Sequence, residues 1–196
     1  MLVTPMPDAD EVRENAAFGA LLGALARPGT WNDLPEPGAA CLLRALCDRE
    51  TRVFADDPAI AALLAGLGAA IVAPAEADHA MLSLSQEAGL AKLALLPVGS
   101  AVYPDHGATV VVPLCGSHGK RATTARSGDG RDSETVKLRL TGPGIDGSVD
   151  LHLPGVHPGV WDLRARLCRY PLGWELVFVE GRRIVAIPRS TFVEVL

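Results

Sequence analysis

The chain has 196 residues, of which 48% are hydrophobic and 21% charged, and 18 basic against 23 acidic side chains give a formal net charge of −5. This composition excludes intrinsic disorder, which requires low hydrophobicity and a high net charge. It also argues against a nucleic-acid partner, because the chain lacks the basic surplus that neutralises phosphates. At this length we expect a single domain that covers residues 1–196.

The sequence favours a soluble protein of the cytoplasm, with no membrane contact. It contains no run of about 18 apolar residues that would span a bilayer. Residues 1–14 are acidic and lack the pattern of a signal peptide. The cysteines form no C-x-x-C pair and have no histidine at zinc-finger spacing, so we expect small buried side chains in a reducing compartment. They are Cys41, Cys47, Cys115 and Cys168.

Helices and short strands are predicted in the first half of the chain. Asp8 with Glu11 three residues later predicts a capping box, and the helix that it opens stops at residues 27–29. Asp57 followed by Pro58 predicts the start of another helix, which ends at Gly66. The other predicted elements are helices over 39–47 and 86–95 and strands over 51–55, 70–73 and 80–84.

Strands dominate the second half. Residues 109–113 are β-branched and continuous, as in a strand buried on both faces, whereas residues 136–140 alternate, as in a strand with one wet face. The polar stretch 116–134 predicts a flexible loop. Further elements are a strand over 149–153, a helix over 161–168, and strands over 175–179, 183–187 and 191–195, the last two as a strand pair of the sheet. The order predicts an α/β fold with a mixed sheet.

Three groups of residues invite a chemical interpretation. Residues 116–121 (GSHGKR) would suit an anion, but the glycine spacing and the Arg after Lys120 depart from a P-loop, so a loop is favoured over nucleotide binding. His152 and His157 with Asp150 could ligate a metal, although surface turns explain them better. Among the lysines, only Lys92 could serve Schiff-base chemistry, and an exposed helix position is the simpler explanation.

Arg189 lies in a run of apolar and β-branched residues, which is unusual for an arginine. It could pair with an acidic side chain such as Glu175 or Glu194, or it could face a ligand or a partner. Internal pairing is the favoured interpretation, because paired charges are the common reason for an arginine in such a run. The residues alone thus indicate an α/β domain without a catalytic constellation.

An ordered set of motifs resembles one family, PhnH, a component of the bacterial carbon–phosphorus lyase system. The pieces follow in family order from residue 18 to the C-terminus, and the last two carry most weight. They are 18–29 (FGALLGALARPG), Leu42, Leu43, Leu46 and Asp48, Pro104 with 107–109 (GAT), 140–145 (LTGPGI), 170–176 (YPLGWEL) and 186–195 (AIPRSTFVEV).

The resemblance implies a three-layer fold, with a mixed sheet flanked by helices, similar to that of pyridoxal-phosphate transferases but without the lysine that anchors the cofactor. It implies a homodimer that joins subunits G, I and J, mainly through I, in the carbon–phosphorus lyase core complex. That complex converts ATP and an alkylphosphonate to ribose 1-phosphonate 5-triphosphate and adenine, as a transferase. The chain itself would be an accessory subunit without a cofactor, metal or catalytic residues of its own.

A small-molecule enzyme that binds a nucleotide or a phosphonate and acts alone, through Lys120 and Arg121, is the alternative. The motifs also supply candidates for interface or family-specific positions. These candidates are Arg27, Gly142, Pro143, Gly144, Pro171, Gly173, Glu175, Pro188, Arg189 and Thr191.

Overall fold

Capping residues set the starts of two helices in the computed structural model, which describes residues 6–114 and 136–196. Helix α1, Ala9–Ala26, begins at a capping box: the Asp8 carboxylate accepts the backbone N–H of Glu11 at 2.8 Å, and the Glu11 side chain accepts that of Asp8 at 2.8 Å. Asp57 caps α3, Pro58–Gly66. Both predicted caps are confirmed. The predicted loop 116–134, with Lys120 and Arg121, lies outside the described residues, as does Cys115.

Most remaining elements agree with the predicted ones to within two residues at either end. The other helices are α2 (Ala39–Leu46), α4 (Glu87–Leu93) and α5 (Gly159–Leu167), and single 3-10 turns lie at Pro74–Glu76 and Pro104–His106. The strands are β1 (Asn32–Asp33), β2 (Arg52–Ala55), β3 (Ala70–Ile71), β4 (His79–Met81), β5 (Thr109–Pro113), β6 (Val136–Thr141), β7 (Val149–Leu153), β8 (Glu175–Glu180), β9 (Arg183–Ile187) and β10 (Phe192–Val195). The two-residue strand β1 was not predicted. None of the helices in the described ranges has the length and apolar character to cross a membrane.

Seven strands of the described residues form a mixed sheet at the centre of the fold, in the order β1-β9-β8-β5-β4-β2-β3. The pairs from β8 through β5, β4 and β2 to β3 are parallel. Strand β9 pairs antiparallel with β8, and β1 pairs antiparallel with β9. The predicted α/β class with a mixed sheet is therefore confirmed.

Both faces of this sheet are buried. Val111 of β5 lies in one core, with residues of α1, α2 and α3. Its neighbours Val110 and Val112 lie in the other core, with residues of α4 and α5 and of a second, smaller sheet. The continuous β-branched run of β5 thus has the two-sided burial that was predicted for it. One flanking layer is helical, and the other is partly β-structure.

In the second sheet, the residues that the structure describes form three antiparallel strands in the order β10-β6-β7. Strands β9 and β10 were predicted as a pair in one sheet, and this is wrong: β9 pairs with β8, whereas β10 pairs with β6. The alternation of β6 correctly predicted one buried face, with Leu138 and Leu140 fully buried. Alternation specifies which face is buried, but it does not specify which strand lies alongside.

Deletion of residues 190–196 should destabilise the protein, because it removes β10 and leaves the edge of β6 without its antiparallel partner. We expect a loss of about 3 kcal/mol, which corresponds to a melting temperature lower by about 6–12 °C. Thermal denaturation followed by circular dichroism measures the change. Leu196→Ala is the control, because this side chain is 53% exposed. An unchanged melting temperature in the truncated chain would contradict the role given to β10.

His79 at the start of β4 should make folding depend on pH. Burial lowers the pKa of His79, although the charges of Asp78 and Asp48 act in the opposite direction. Below an unfolded pKa of about 6.5, the unfolded chain then binds more protons than the folded chain, so stability falls as the pH decreases. The loss should begin as the pH falls through about 6.5 and stop growing once the pH lies below the lowered pKa of His79 in the folded chain.

Urea denaturation at several pH values tests this dependence. His79→Asn should flatten the decline below about pH 6.5, whatever its effect on stability at neutral pH. His152→Asn, at an exposed position on β7, is the matched control and should keep the decline of the unchanged chain. Parallel declines in His79→Asn and in the unchanged chain would show that His79 is not the group responsible.

Candidate functional site

An ion pair between Glu175 and Arg189 organises one end of the central sheet. Glu175 begins β8, and Arg189 follows β9 by two residues. The Glu175 carboxylate accepts both the backbone N–H of Arg189, at 2.9 Å, and its side-chain Nε. Each side chain is only 17% exposed, whereas at least one partner in every other ion pair of the described residues is 38% exposed or more. Arg189 therefore pairs within the protein, and its partner is Glu175 rather than Glu194.

The same guanidinium reaches a third segment of the chain. Nη1 of Arg189 donates to the carbonyl oxygen of Pro104, in the 3-10 turn between α4 and β5. Gly173 lies against this cluster with φ +146°, a conformation that other residues rarely adopt. A Cβ there would lie 3.0 Å from the Cβ of Arg189 and 2.9 Å from that of Cys168. The absence of a side chain at Gly173 therefore allows the segment that leads into β8 to pass close to Arg189.

A second arginine, Arg164 of α5, holds the segment that follows Arg189. Its Nη2 donates to the carbonyl oxygens of Pro188, at 2.8 Å, and Thr191, at 2.9 Å. The side chain is 7% exposed, and this burial lowers its pKa from the usual arginine value. Two arginines thus fix the crossover between the two sheets, one through a carboxylate and one through backbone carbonyls.

Two depressions flank this crossover and share Tyr170, Arg189 and Ser190. The first has a volume of 450 Å³ and is open to solvent; Pro143, Pro171 and Glu175 also line it. The second, of 310 Å³, lies between α5 and residues 189–193, which include the start of β10. Tyr170 at their common edge is 72% exposed, and Phe192 beside the second is 71% exposed.

Most of the candidate positions from the sequence meet here, although they come from three separate segments. The first depression collects Pro143, Pro171, Glu175 and Arg189. Thr191 lines the second depression, and the carbonyl of Pro188 binds Arg164. A Cβ on Gly142 would lie 3.1 Å from the Ser190 carbonyl oxygen, and Gly173 borders Arg189.

Two of the candidates lie elsewhere. Gly144 packs against the Ala26 carbonyl and the ring of Pro28, so it joins the turn after β6 to the end of α1. Arg27 is exposed at the C-cap of α1, where its backbone N–H donates to Gly23, and its side chain has no partner in the described ranges. The motif pieces 18–29 and 140–145 therefore contact each other for a packing reason.

The residues considered for metal binding do not form a site. Asp150 pairs with Arg139, at 2.9 Å, which lowers the pKa of the Asp150 carboxyl. His152 is exposed on β7, whereas Nδ1 of His157 accepts the backbone N–H of Gly159 at 3.1 Å. Across residues 6–114 and 136–196, no group of three His, Cys, Asp or Glu side chains could hold a metal.

The lysine and the cysteines that the sequence analysis considered have contacts or burial typical of structural residues. Lys92 lies 3.9 Å from Asp56 and 5.9 Å from the centre of the Phe54 ring. Cys41 and Cys47 are buried, as expected, and burial raises the pKa of the Cys47 thiol to about 12. Cys168 is half-buried, with a pKa raised by the same cause.

Sequence reasoning missed Arg164 and the importance of Trp161. The sequence predicted a helix over 161–168 but not which of its residues are buried; in the structure these are Val160, Trp161, Leu163 and Arg164. The available signal was a charged residue three positions from a tryptophan, on the same side of a helix. That signal cannot show what the arginine binds.

These observations define an α/β protein with a mixed seven-stranded sheet and a site where family-motif residues from distant segments meet. The family of bacterial phosphonate metabolism proteins PhnH matches residues 8–194, and the chain belongs to it. A relative from Stutzerimonas stutzeri, described as "Putative C-P lyase subunit protein HtxG", is 31% identical over 184 residues. The match covers 92% of this chain and 86% of the relative.

Glu175→Ala should destabilise the protein, because it leaves the Arg189 guanidinium and backbone N–H without their acceptor. We expect a loss of about 2 kcal/mol and a melting temperature lower by about 4–8 °C. Asp150→Ala is the matched control: it breaks the exposed Arg139 pair and should change the melting temperature little. Equal melting temperatures for the two variants would mean that the Glu175 pair contributes no more than a surface pair.

Proposed function

We propose that the chain is an accessory, non-catalytic subunit of a bacterial carbon–phosphorus lyase core complex in the cytoplasm. It would be required for conversion of ATP and an alkylphosphonate to ribose 1-phosphonate 5-triphosphate and adenine, while another subunit carries the chemistry. Membership of the PhnH family and the C–P lyase name of the relative support this proposal. Subunits G, I and J are the proposed partners, with I as the main contact, and the chain is proposed to form a homodimer.

The exposed aromatic surface beside the two depressions carries the proposal. Tyr170 and Phe192 are 72% and 71% exposed, although both belong to family motifs. Large aromatic side chains are enriched in protein interfaces, where their burial contributes much of the binding free energy. Two such side chains are exposed to water next to the ion-paired crossover. We therefore expect a partner protein to cover them in the assembled complex.

The edge of the small sheet extends this surface. Among the described residues, strand β10 pairs with β6 on one side only, and Val195 and Leu196 beyond Phe192 are 52% and 53% exposed. An edge strand presents unpaired backbone groups to which another chain can add. We therefore assign the surface of Tyr170, Phe192 and the β10 edge to the contact with subunit I.

The likeness to the pyridoxal-phosphate transferase fold and the single-domain organisation are part of the proposal. The mixed sheet and its burial on both faces support the first. Both hydrophobic cores include residues of the central sheet, so neither flanking layer has a core of its own, which supports the second.

Co-expression with subunits G, I and J tests the proposal. Purified alone, the chain should not turn over ATP or an alkylphosphonate, and it should co-purify with subunit I. Tyr170→Asp and Phe192→Asp should each reduce the recovered complex about tenfold, since a charge would be buried in an aromatic contact.

Val12→Asp is the control, because Val12 is 54% exposed on α1, which packs on the other face of the central sheet. Circular dichroism checks that all three variants fold. Turnover by the isolated chain would refute the non-catalytic role. Full recovery of the complex by both aromatic variants would show that this surface is not the contact.

A further inference from the structure

Three buried hydrogen-bonding atoms around the second depression have no partner in the described residues. They are Nε1 of Trp161, Nε of Arg164 and Oγ1 of Thr191. Their side chains are 4%, 7% and 2% exposed, respectively. Buried polar groups are nearly always hydrogen-bonded, because an unpaired one costs about 1–3 kcal/mol. Three such atoms at one place therefore require an explanation.

All three side chains line the same cavity. This cavity is the second depression, which has a volume of 310 Å³ and lies between α5 and residues 189–193. This volume is many times the roughly 30 Å³ of one water molecule and lies at the lower end of ordinary ligand pockets. Two of the atoms are N–H donors, and the third is a hydroxyl that can donate. The side chains that line the cavity therefore include three with an unsatisfied group that can donate a hydrogen bond.

The cavity also carries uncompensated positive charge. No acidic side chain of the described residues lies within ion-pair distance of Arg164, whose Nη2 binds only backbone carbonyls. The carboxylate of Glu175 acts on Arg164 from a distance but is bonded to Arg189. Arg169, exposed at the edge of the cavity, adds a further charge. A guanidinium remains protonated at neutral pH, so this charge persists.

We propose that this cavity binds the oxyanion group of a small molecule, a phosphonate, phosphate or carboxylate, through Trp161, Arg164 and Thr191. An oxyanion supplies several lone pairs that accept hydrogen bonds, and its negative charge would neutralise that of Arg164. Hydrogen bonds between charged groups are stronger than those between neutral groups. The remainder of the molecule extends along Tyr170 and Ser190 towards the open depression, which shares these residues. This binding site does not depend on the proposed subunit role, since binding requires neither turnover nor a partner.

Thr191→Val is the most informative variant. The hydroxyl of Thr191 has no partner among residues 6–114 and 136–196, and valine keeps the shape of the side chain. The melting temperature of the ligand-free protein should therefore stay the same or increase. If the hydroxyl had a purely structural role, its removal would lower the melting temperature. Binding of the oxyanion should weaken, because one of its donors is gone.

Isothermal titration calorimetry at constant ionic strength measures binding of methylphosphonate, inorganic phosphate and acetate. At least one should bind saturably with one site per chain, and their order of affinity distinguishes a phosphorus oxyanion from a carboxylate. Thr191→Val and Trp161→Phe should each weaken binding about tenfold. Arg164→Gln should abolish it, with folding verified by circular dichroism.

Arg166→Gln is the matched control: Arg166 is exposed on α5, does not line the cavity and should leave the affinity unchanged. The proposal is overturned if none of the three anions binds saturably up to about 10 mM, a limit near −2.7 kcal/mol. It is also overturned if Thr191→Val and Trp161→Phe bind as the unchanged chain does. The co-purification experiment gives its answer independently of either result.

Discussion

The carboxylate of Glu175 holds Arg189 at the point where the chain leaves the central sheet. It binds both the side-chain Nε and the backbone N–H of Arg189, so it restrains the path of the chain as well as one side chain. Arg189 in turn binds the Pro104 carbonyl, and Arg164 binds the carbonyls of Pro188 and Thr191. The position of β10, and hence the small sheet, depends on this set of bonds.

The two arginines illustrate different uses of a buried charge. Arg189 is neutralised by a carboxylate at close range, so its contribution is structural. Within the part of the chain that the structure describes, Arg164 is bound only by backbone carbonyls, which satisfy part of its guanidinium but leave its charge in place and Nε without a partner. Because an isolated buried charge is costly, a structure that keeps one beside a cavity indicates that an anion completes it.

Docking and ligand binding would use neighbouring parts of one surface. Tyr170 borders both depressions and is largely exposed, whereas Trp161 and Thr191 lie inside the second one. A member of the PhnH family with this arrangement could contact a subunit through its aromatic edge and hold an oxyanion behind it. The rigid crossover serves both purposes, because preorganised groups lose little conformational entropy on binding.

The sequence by itself determined the features that depend on near neighbours along the chain. Asp8 and Asp57 capped their helices as expected, and the alternation of β6 and the β-branched run of β5 specified which faces are buried. Only the tertiary structure decided that Glu175, rather than Glu194, pairs with Arg189, that β10 pairs with β6, and that Arg164 meets Thr191. These contacts join residues 14 to 57 positions apart along the chain. Local patterns reflect backbone preferences and burial over a few residues, whereas distant contacts depend on the path of the whole chain between them.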